Sequence, residues 1–428
     1  MSISFYRERE FKDTEIGRIP REWKVVRLKE IAEDIYYGIT AKAVDVKTNL
    51  RMLRTTDIKD YSVDWNTLPF CEITEKRGDI ERFFLKAGDL IIARAGTTGV
   101  SVLVEKDIDD TIFGSYLIKV RLNNKLFPKF MHYFCQSHFY WNHITSSQAG
   151  STLKNISLPI LESLNIPLPP LQEQQKIAEI LSTVDEAIQK TNEIIAKTER
   201  LKKGLMQELL TKGIGHKEFK DTEIGRIPKD WKIVQLSNVG EFVNGFAFPI
   251  EYQGKKDGEY IFVKVSDMNI AGNEKYIHTT ENTIDDHIAR QLKAKVYPAG
   301  TIIFPKIGMV IYLRKVRILA KKGTFDNNIM GIVPSKNAID SEFLYYYFLD
   351  KIDLTKLAGR TTAPSIKKSE VEKLKMSLPP IQEQQKIAEI LSTIDKKLEL
   401  LRNEIAKLER TKKGLMDLLL TGKIRVKL

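Results

Sequence analysis

The stretch HYFCQSHFYWNH at 132–143 gathers His132, Cys135, His138 and His143. Spacings of three residues set such side chains on one helical face, and imidazole nitrogen and thiolate are donors that zinc accepts. The competing reading is a core helix, in which a cysteine among apolar neighbours is simply a small buried hydrophobe. The chain contains its own control. A related stretch, LYYYFLD at 344–350, puts Tyr345 opposite His132 and Phe348 opposite Cys135. The aromatic copy carries no ligand set, so a core helix is expected in both places and no metal is assigned.

Other catalytic equipment is missing as motifs. No GxxxxGK[ST] phosphate loop occurs, so ATP hydrolysis is not expected of this chain. No Asn-Pro-Pro-aromatic or Asp-Pro-Pro-aromatic run occurs, and no glycine-rich cofactor loop follows a strand. No catalytic residue and no cofactor are therefore assigned. An enzyme with an unrecognised nuclease or methylase site is kept as a rival.

The positioning elements are organised by a repeat. QEQQKIAEILST stands at 172–183 and again at 382–393, and FKDTEIGRIP at 11–20 and again at 219–228. Between these anchors the halves diverge, keeping only faint pairs such as AGDLIIA against AGTIIFP. The plan is an anchor, a variable domain and a long helix, then the same three again. Short apolar runs bounded by Gly, Asp or Asn make the variable domains strand-rich. LPPL and LPPI announce the helices, with proline tolerated in the first turn and Glu173 and Glu383 there complementing the helix dipole.

The second helix has a heptad seam of Ile387, Leu391, Ile394, Leu398, Leu401, Ile405 and Leu408. The first follows in register with Ile177, Leu181, Val184, Ile188, Thr191, Ile195 and Thr198, threonine replacing leucine twice. An apolar seam demands a partner. Antiparallel pairing of the two helices is the expected arrangement; folding back onto each domain or pairing between chains are the alternatives. The expected class is α+β, with two similar globular domains separated by two long helices in an antiparallel coiled coil with internal pseudo-two-fold symmetry.

A chain of 428 residues is too long for one core. Cys71 and Cys135 make no disulfide framework, the N-terminus lacks the apolar centre of a signal peptide, and no apolar run spans a membrane. A cytoplasmic location is expected. The net charge of +12 suits a polyanion. Residues 172–213 balance seven basic against seven acidic side chains and residues 382–423 nine against seven, so the excess lies in the variable domains. Unlike heads on a fixed spacer suit two readings of one long ligand, and duplex DNA is such a ligand. A two-headed protein-binding scaffold is the alternative.

The helix starts IPLPPLQEQQKIAEILSTVDEAI and MSLPPIQEQQKIAEILSTIDKKL, the anchors GRIPREW and GRIPKDW, the ARAGTTG loop at 93–99 and the helix end KKGLMQELLTKG give the chain a resemblance to the specificity subunits of type I restriction–modification systems over essentially its full length. The resemblance implies target-recognition domains at 1–167 and 214–377, with conserved spacer helices at 168–213 and 378–428. It implies a non-catalytic subunit that reads a bipartite sequence in double-stranded DNA and docks two methyltransferase subunits, joined by restriction/translocase subunits. S-adenosylmethionine, ATP and Mg are then expected on those partners. GTTG at 96–99 departs to IGMVI at 307–311 in the second copy. Candidate DNA contacts are cations and hydroxyls in or beside strand ends and loops. They are Arg51, Arg54, Arg94, Thr97, Thr98 and Lys154 in the first domain, and Lys264, Lys306, Arg314, Arg360, Thr361 and Lys367 in the second. Tyr36, Tyr37 and Phe246 flank glycines at matching positions and are added as candidates for bases or sugars.

Overall fold

The computed structural model describes residues 4–73, 80–147, 155–358 and 364–427. The chain divides into two compact units, Met1–Asn192 with Glu404–Leu428, and Glu193–Asn403. Two long helices, Leu171–Lys212 and Ile381–Leu419, each contribute to both units.

In the first unit a four-stranded antiparallel sheet runs in the order Ser101–Leu103, Leu90–Ala93, Leu117–Leu122, Ala32–Tyr37. Leu90 to Ala93 are all buried, which explains why this strand is an unbroken apolar run rather than an alternating one. A mixed five-stranded sheet follows the order Ala41–Val44, Phe70–Ile73, Arg51–Leu53, Ile108–Phe113, Phe84–Leu85, with Arg51–Leu53 parallel to its neighbour Ile108–Phe113. The strands Phe5–Arg7 and Ile424–Val426 pair with each other antiparallel. The second unit repeats the plan. Its five-stranded sheet contains Gly240–Asn244, Ile329–Pro334 and Ile302–Pro305 in that order, and Tyr260–Val263 runs parallel to Gly323–Phe325 in a three-stranded sheet.

Within each unit the long helices pack antiparallel. In the first, Ile177 and Leu181 share a core with Met416 and Leu419; in the second, Met206 and Leu210 share one with Ile387 and Leu391. The expected helix pairing is thus found. Along the seams Ile177, Leu181, Ile387, Leu391 and Leu398 are buried, while Val184, Ile188, Ile195, Ile394, Leu401, Ile405 and Leu408 are half-buried. Thr191 and Thr198 are tolerated in the seam because each hydroxyl donates back along its own helix, to Ala187 O at 2.8 Å and Ile194 O at 2.7 Å.

One device fixes each globular part to the helices. Tyr133 donates to Asp185 at 2.7 Å, Lys412 pairs with the same carboxylate at 2.8 Å, and its ammonium lies over the Tyr133 ring. In the second unit Tyr346 donates to Asp395 at 2.6 Å and Lys202 pairs with it at 2.5 Å, again over the tyrosine ring.

The repeated QEQQ has a local cause. Gln174 is fully buried; its carbonyl accepts from Phe127 N at 2.7 Å, and its amide donates to Lys125 O and Pro169 O. Gln384 does the same with Asp340 N at 2.9 Å, Ala338 O and Pro379 O. Each glutamine side chain completes three backbone groups, one of them, the carbonyl of Pro169 or Pro379, in a buried hydrogen bond. Gln384→Leu is expected to lower unfolding stability by about 1–3 kcal/mol, since it strands a partly buried N–H, a partly buried carbonyl and a buried one. Urea unfolding followed by circular dichroism measures this.

Candidate nucleic-acid interface

Three strand ends meet at one edge of the first unit. Arg54 follows Arg51–Leu53, Arg94 follows Leu90–Ala93, and Gly114–Tyr116 follows Ile108–Phe113. Backbone hydrogen bonds lock them: Gly114 N to Leu53 O, Arg94 N to Tyr116 O, and Ile156 N to Arg94 O, each 2.9 Å. Gly38 closes the edge, because a Cβ there would stand 2.2 Å from Gly114 O. Such approach is open only to glycine.

The second unit builds the same frame. Lys264 follows Tyr260–Val263, Lys306 follows Ile302–Pro305, and Asp326–Asn328 follows Gly323–Phe325. Asp326 N donates to Val263 O at 2.9 Å, Lys306 N to Asn328 O at 2.8 Å and Ile366 N to Lys306 O at 2.9 Å. Gly245 takes the place of Gly38, with a Cβ position 1.9 Å from Asp326 O. Arg54 therefore corresponds to Lys264, and Arg94 to Lys306.

Side chains on this common frame differ. Arg54 is bidentate to Asp57 at 3.0 and 2.8 Å and stays partly exposed. The Arg94 guanidinium lies 4.2 Å from the centroid of the Tyr37 ring, and its Nε has no partner among the described residues. Thr97 is exposed and touches Thr55 O at 3.4 Å, and Thr98 is half-buried beside it. In the second unit Lys264 donates to Gln253 Oε1 at 2.6 Å and Lys306 to Asn244 Oδ1 at 2.8 Å. Burial lowers the pKa of Lys306 and raises that of the neighbouring Asp326 carboxyl. Lys306 is hydrogen-bonded to an amide beside a carboxyl group and Arg94 is stacked on a ring, so the two edges present different cations in different settings.

Other candidates sit elsewhere. Arg51 donates to Trp65 O and Asn66 O, both at 3.2 Å, and lies over Phe70, so its side chain braces the sheet. Arg314 pairs with Asp353 at 2.6 Å and holds that carboxyl below its usual range. Lys367 starts the short helix Lys368–Glu372. Lys154, Arg360 and Thr361 lie outside the described residues. Tyr36 donates to Arg82 O and contacts Phe83 and Phe113, while Phe246 packs on Phe262; both are half-buried packing groups. The loop after Lys306 turns at Gly308, φ 86°, into Met309–Leu313, where Met309 and Leu313 are exposed. Asn244, Gln253 and Tyr116 belong to the edges and were not singled out by sequence; the repeat is too eroded there to signal them.

The histidine–cysteine stretch forms helices Pro128–Phe134 and His138–Ser147. Among the described residues no group of three His, Cys, Asp or Glu is placed to hold a metal. His143 faces Ile160 O at 2.8 Å, and burial pushes the Cys135 thiol up to about 12. His132 is held down at about 4, first by burial and then by the Lys412 charge, while its Nε2 meets the Gln136 amide at 3.1 Å. The folded ring thus resists a proton that the unfolded ring takes up near pH 6.5. Stability from this neutral ring is complete above about pH 6.5 and is lost as pH falls towards 4. His132→Phe is expected to flatten this limb, by about 1–3 kcal/mol after allowing for partial solvent access, in denaturation series between pH 7 and 4.

No helix among the described residues is long and apolar enough to cross a membrane. The family model for the type I restriction modification DNA specificity domain matches residues 20–200 and 228–410. The chain is 34% identical to the putative type I restriction enzyme MjaX specificity subunit of Methanocaldococcus jannaschii, covering 99% of each. It is 30% identical to the MjaVIII specificity subunit of the same organism, over 99% of this chain and 98% of the relative. In fold it is similar to a chain from a structural study of type I R-M complex assembly and conformational transition (TM-score 0.58, 18% identity, 95% and 99% coverage). It is also similar to the type I S subunit from M. genitalium (TM-score 0.57, 16% identity, 93% and 96% coverage).

Proposed function

The chain belongs to the specificity subunits of type I restriction–modification systems, and we propose that its two recognition domains, 1–167 and 214–377, each read one half of an asymmetric bipartite sequence in double-stranded DNA. Specificity subunits are non-catalytic, and this chain is one of them. The spacer segments 168–213 and 378–428 dock two methyltransferase subunits, with restriction/translocase subunits joining that core in the cytoplasm. S-adenosylmethionine, ATP and Mg act on those partners.

The observation that carries the reading is the pair of matched edges. One hydrogen-bonded frame presents Arg54, Arg94 and Thr97 in one unit, and Lys264 and Lys306 in the other. Equivalent placement gives both domains a way to face a duplex. Unequal side chains and different loops give each its own sequence preference, since base edges are told apart by donor and acceptor pattern. Arg94, free of any ion pair among the described residues, suits phosphate or guanine. Lys306 and Asn244 together offer a donor and an amide.

Binding of the complex with its methyltransferase subunits to target duplex, measured by fluorescence anisotropy, is expected to weaken steeply with salt through counterion release. Arg94→Ala is expected to reduce the slope of log affinity against log salt by about 1 if it holds phosphate, or to relax one base position if it holds guanine. A slope and specificity both unchanged would remove Arg94 from the interface. Replacing residues 30–150 with the corresponding domain of a relative is expected to change one half-site only, read by mapping methylated adenines; a change in both halves would contradict the division of labour.

A further inference from the structure

Each long helix contains an interior glycine, Gly204 in Leu171–Lys212 and Gly414 in Ile381–Leu419. The repeat places them at equivalent positions. Both are exposed, and a Cβ at either would meet nothing within 4 Å. Neither has a left-handed backbone. They contrast with Gly38 and Gly245, which close backbone contact demands. Glycine inside a helix weakens it relative to alanine. Nothing in the unit that holds each one requires the sacrifice, yet it is made twice.

The surroundings are also repeated. Lys197 and Arg200 precede Gly204 by seven and four positions and share its face, with Lys203 adjacent; Lys407, Arg410 and Lys413 stand likewise around Gly414. All six cations are exposed, and among the described residues none forms an ion pair. Exposure alone does not preserve identity between the copies. Glu186, Lys190 and Asn192 are exposed, and the repeat aligns them with the exposed but different Lys396, Leu400 and Arg402. Side chains that neither fold nor helix maintains, kept the same twice, are those of a surface recognised twice.

We propose that Gly204 and Gly414 are the centres of two equivalent docking surfaces, each taking an acidic segment of the methyltransferase subunit whose backbone packs directly over the glycine. This rests on the reading that the spacer helices dock those subunits. A missing Cβ lets another backbone approach closely, and unpaired lysines and arginine beside it await carboxylates. DNA fits less well. A phosphate contact to those cations gains nothing from the loss of one methyl group, whereas a backbone packed over the helix does.

The test uses the full chain coexpressed with its methyltransferase subunit, with stoichiometry read by native mass spectrometry. Wild type is expected to carry two subunits, Gly204→Leu and Gly414→Leu one each, and the double variant none. Gly204→Ala should raise the melting temperature of the chain alone while weakening subunit binding at least tenfold. A glycine needed for folding would instead lower the melting temperature. A double Leu variant that still carries two subunits overturns the placement of the surfaces alone. A wild-type chain that takes up no methyltransferase subunit overturns the docking reading, and this inference with it.

Discussion

The structure depends on a carboxylate at the first turn of each long helix, fully buried at Glu173 and half-buried at Glu383. Glu173 accepts from the Trp23 indole at 3.1 Å and from Arg425 at 2.7 and 2.9 Å. Glu383 accepts from the Trp231 indole at 3.0 Å, from Ile214 N at 2.9 Å, and faces His216 at 2.8 Å. A carboxylate out of water is costly unless every lone pair is met. The tryptophan of the anchor must therefore sit against the start of the helix that follows its domain, and the domain cannot rotate on the helix without orphaning the charge. Both the anchor and the QEQQ block are repeated because they are two ends of one hydrogen bond.

The same economy shapes the rest of each unit. Tyrosine, aspartate and lysine lock a globular part to the helix pair in both units, and the lysine comes from the opposite helix. Removing any member leaves a polar group with a lost partner, so these contacts specify register as well as adding stability.

Variation is confined to places where the frame does not feel it. At both candidate edges the fixed parts are backbone groups, and backbone hydrogen bonds tolerate any side chain that points outward. Arg54 and Lys264 keep the same N–H bond to an aspartate three residues on, Asp57 or Asp267, while their side chains go to different partners. The loop beyond Arg94 carries threonines; the loop beyond Lys306 carries Met309 and Leu313 exposed. Such loops differ between the units without disturbing the core beneath.

The sequence by itself determined the duplication, the two long helices, their seams and the family. These are local or periodic signals, and a heptad stripe has few physical solutions. It also placed Arg54 with Lys264 and Arg94 with Lys306 among the candidates, because each stands where an apolar strand ends. Only the tertiary structure decided that Arg51 braces a sheet, that His132 is a neutral packing group, and that Glu173 and Glu383 cap more than a dipole. Those roles rest on partners such as Arg425, Lys412 and Trp65, which are near in space for reasons of packing, and no spacing along the chain encodes which charge will meet which.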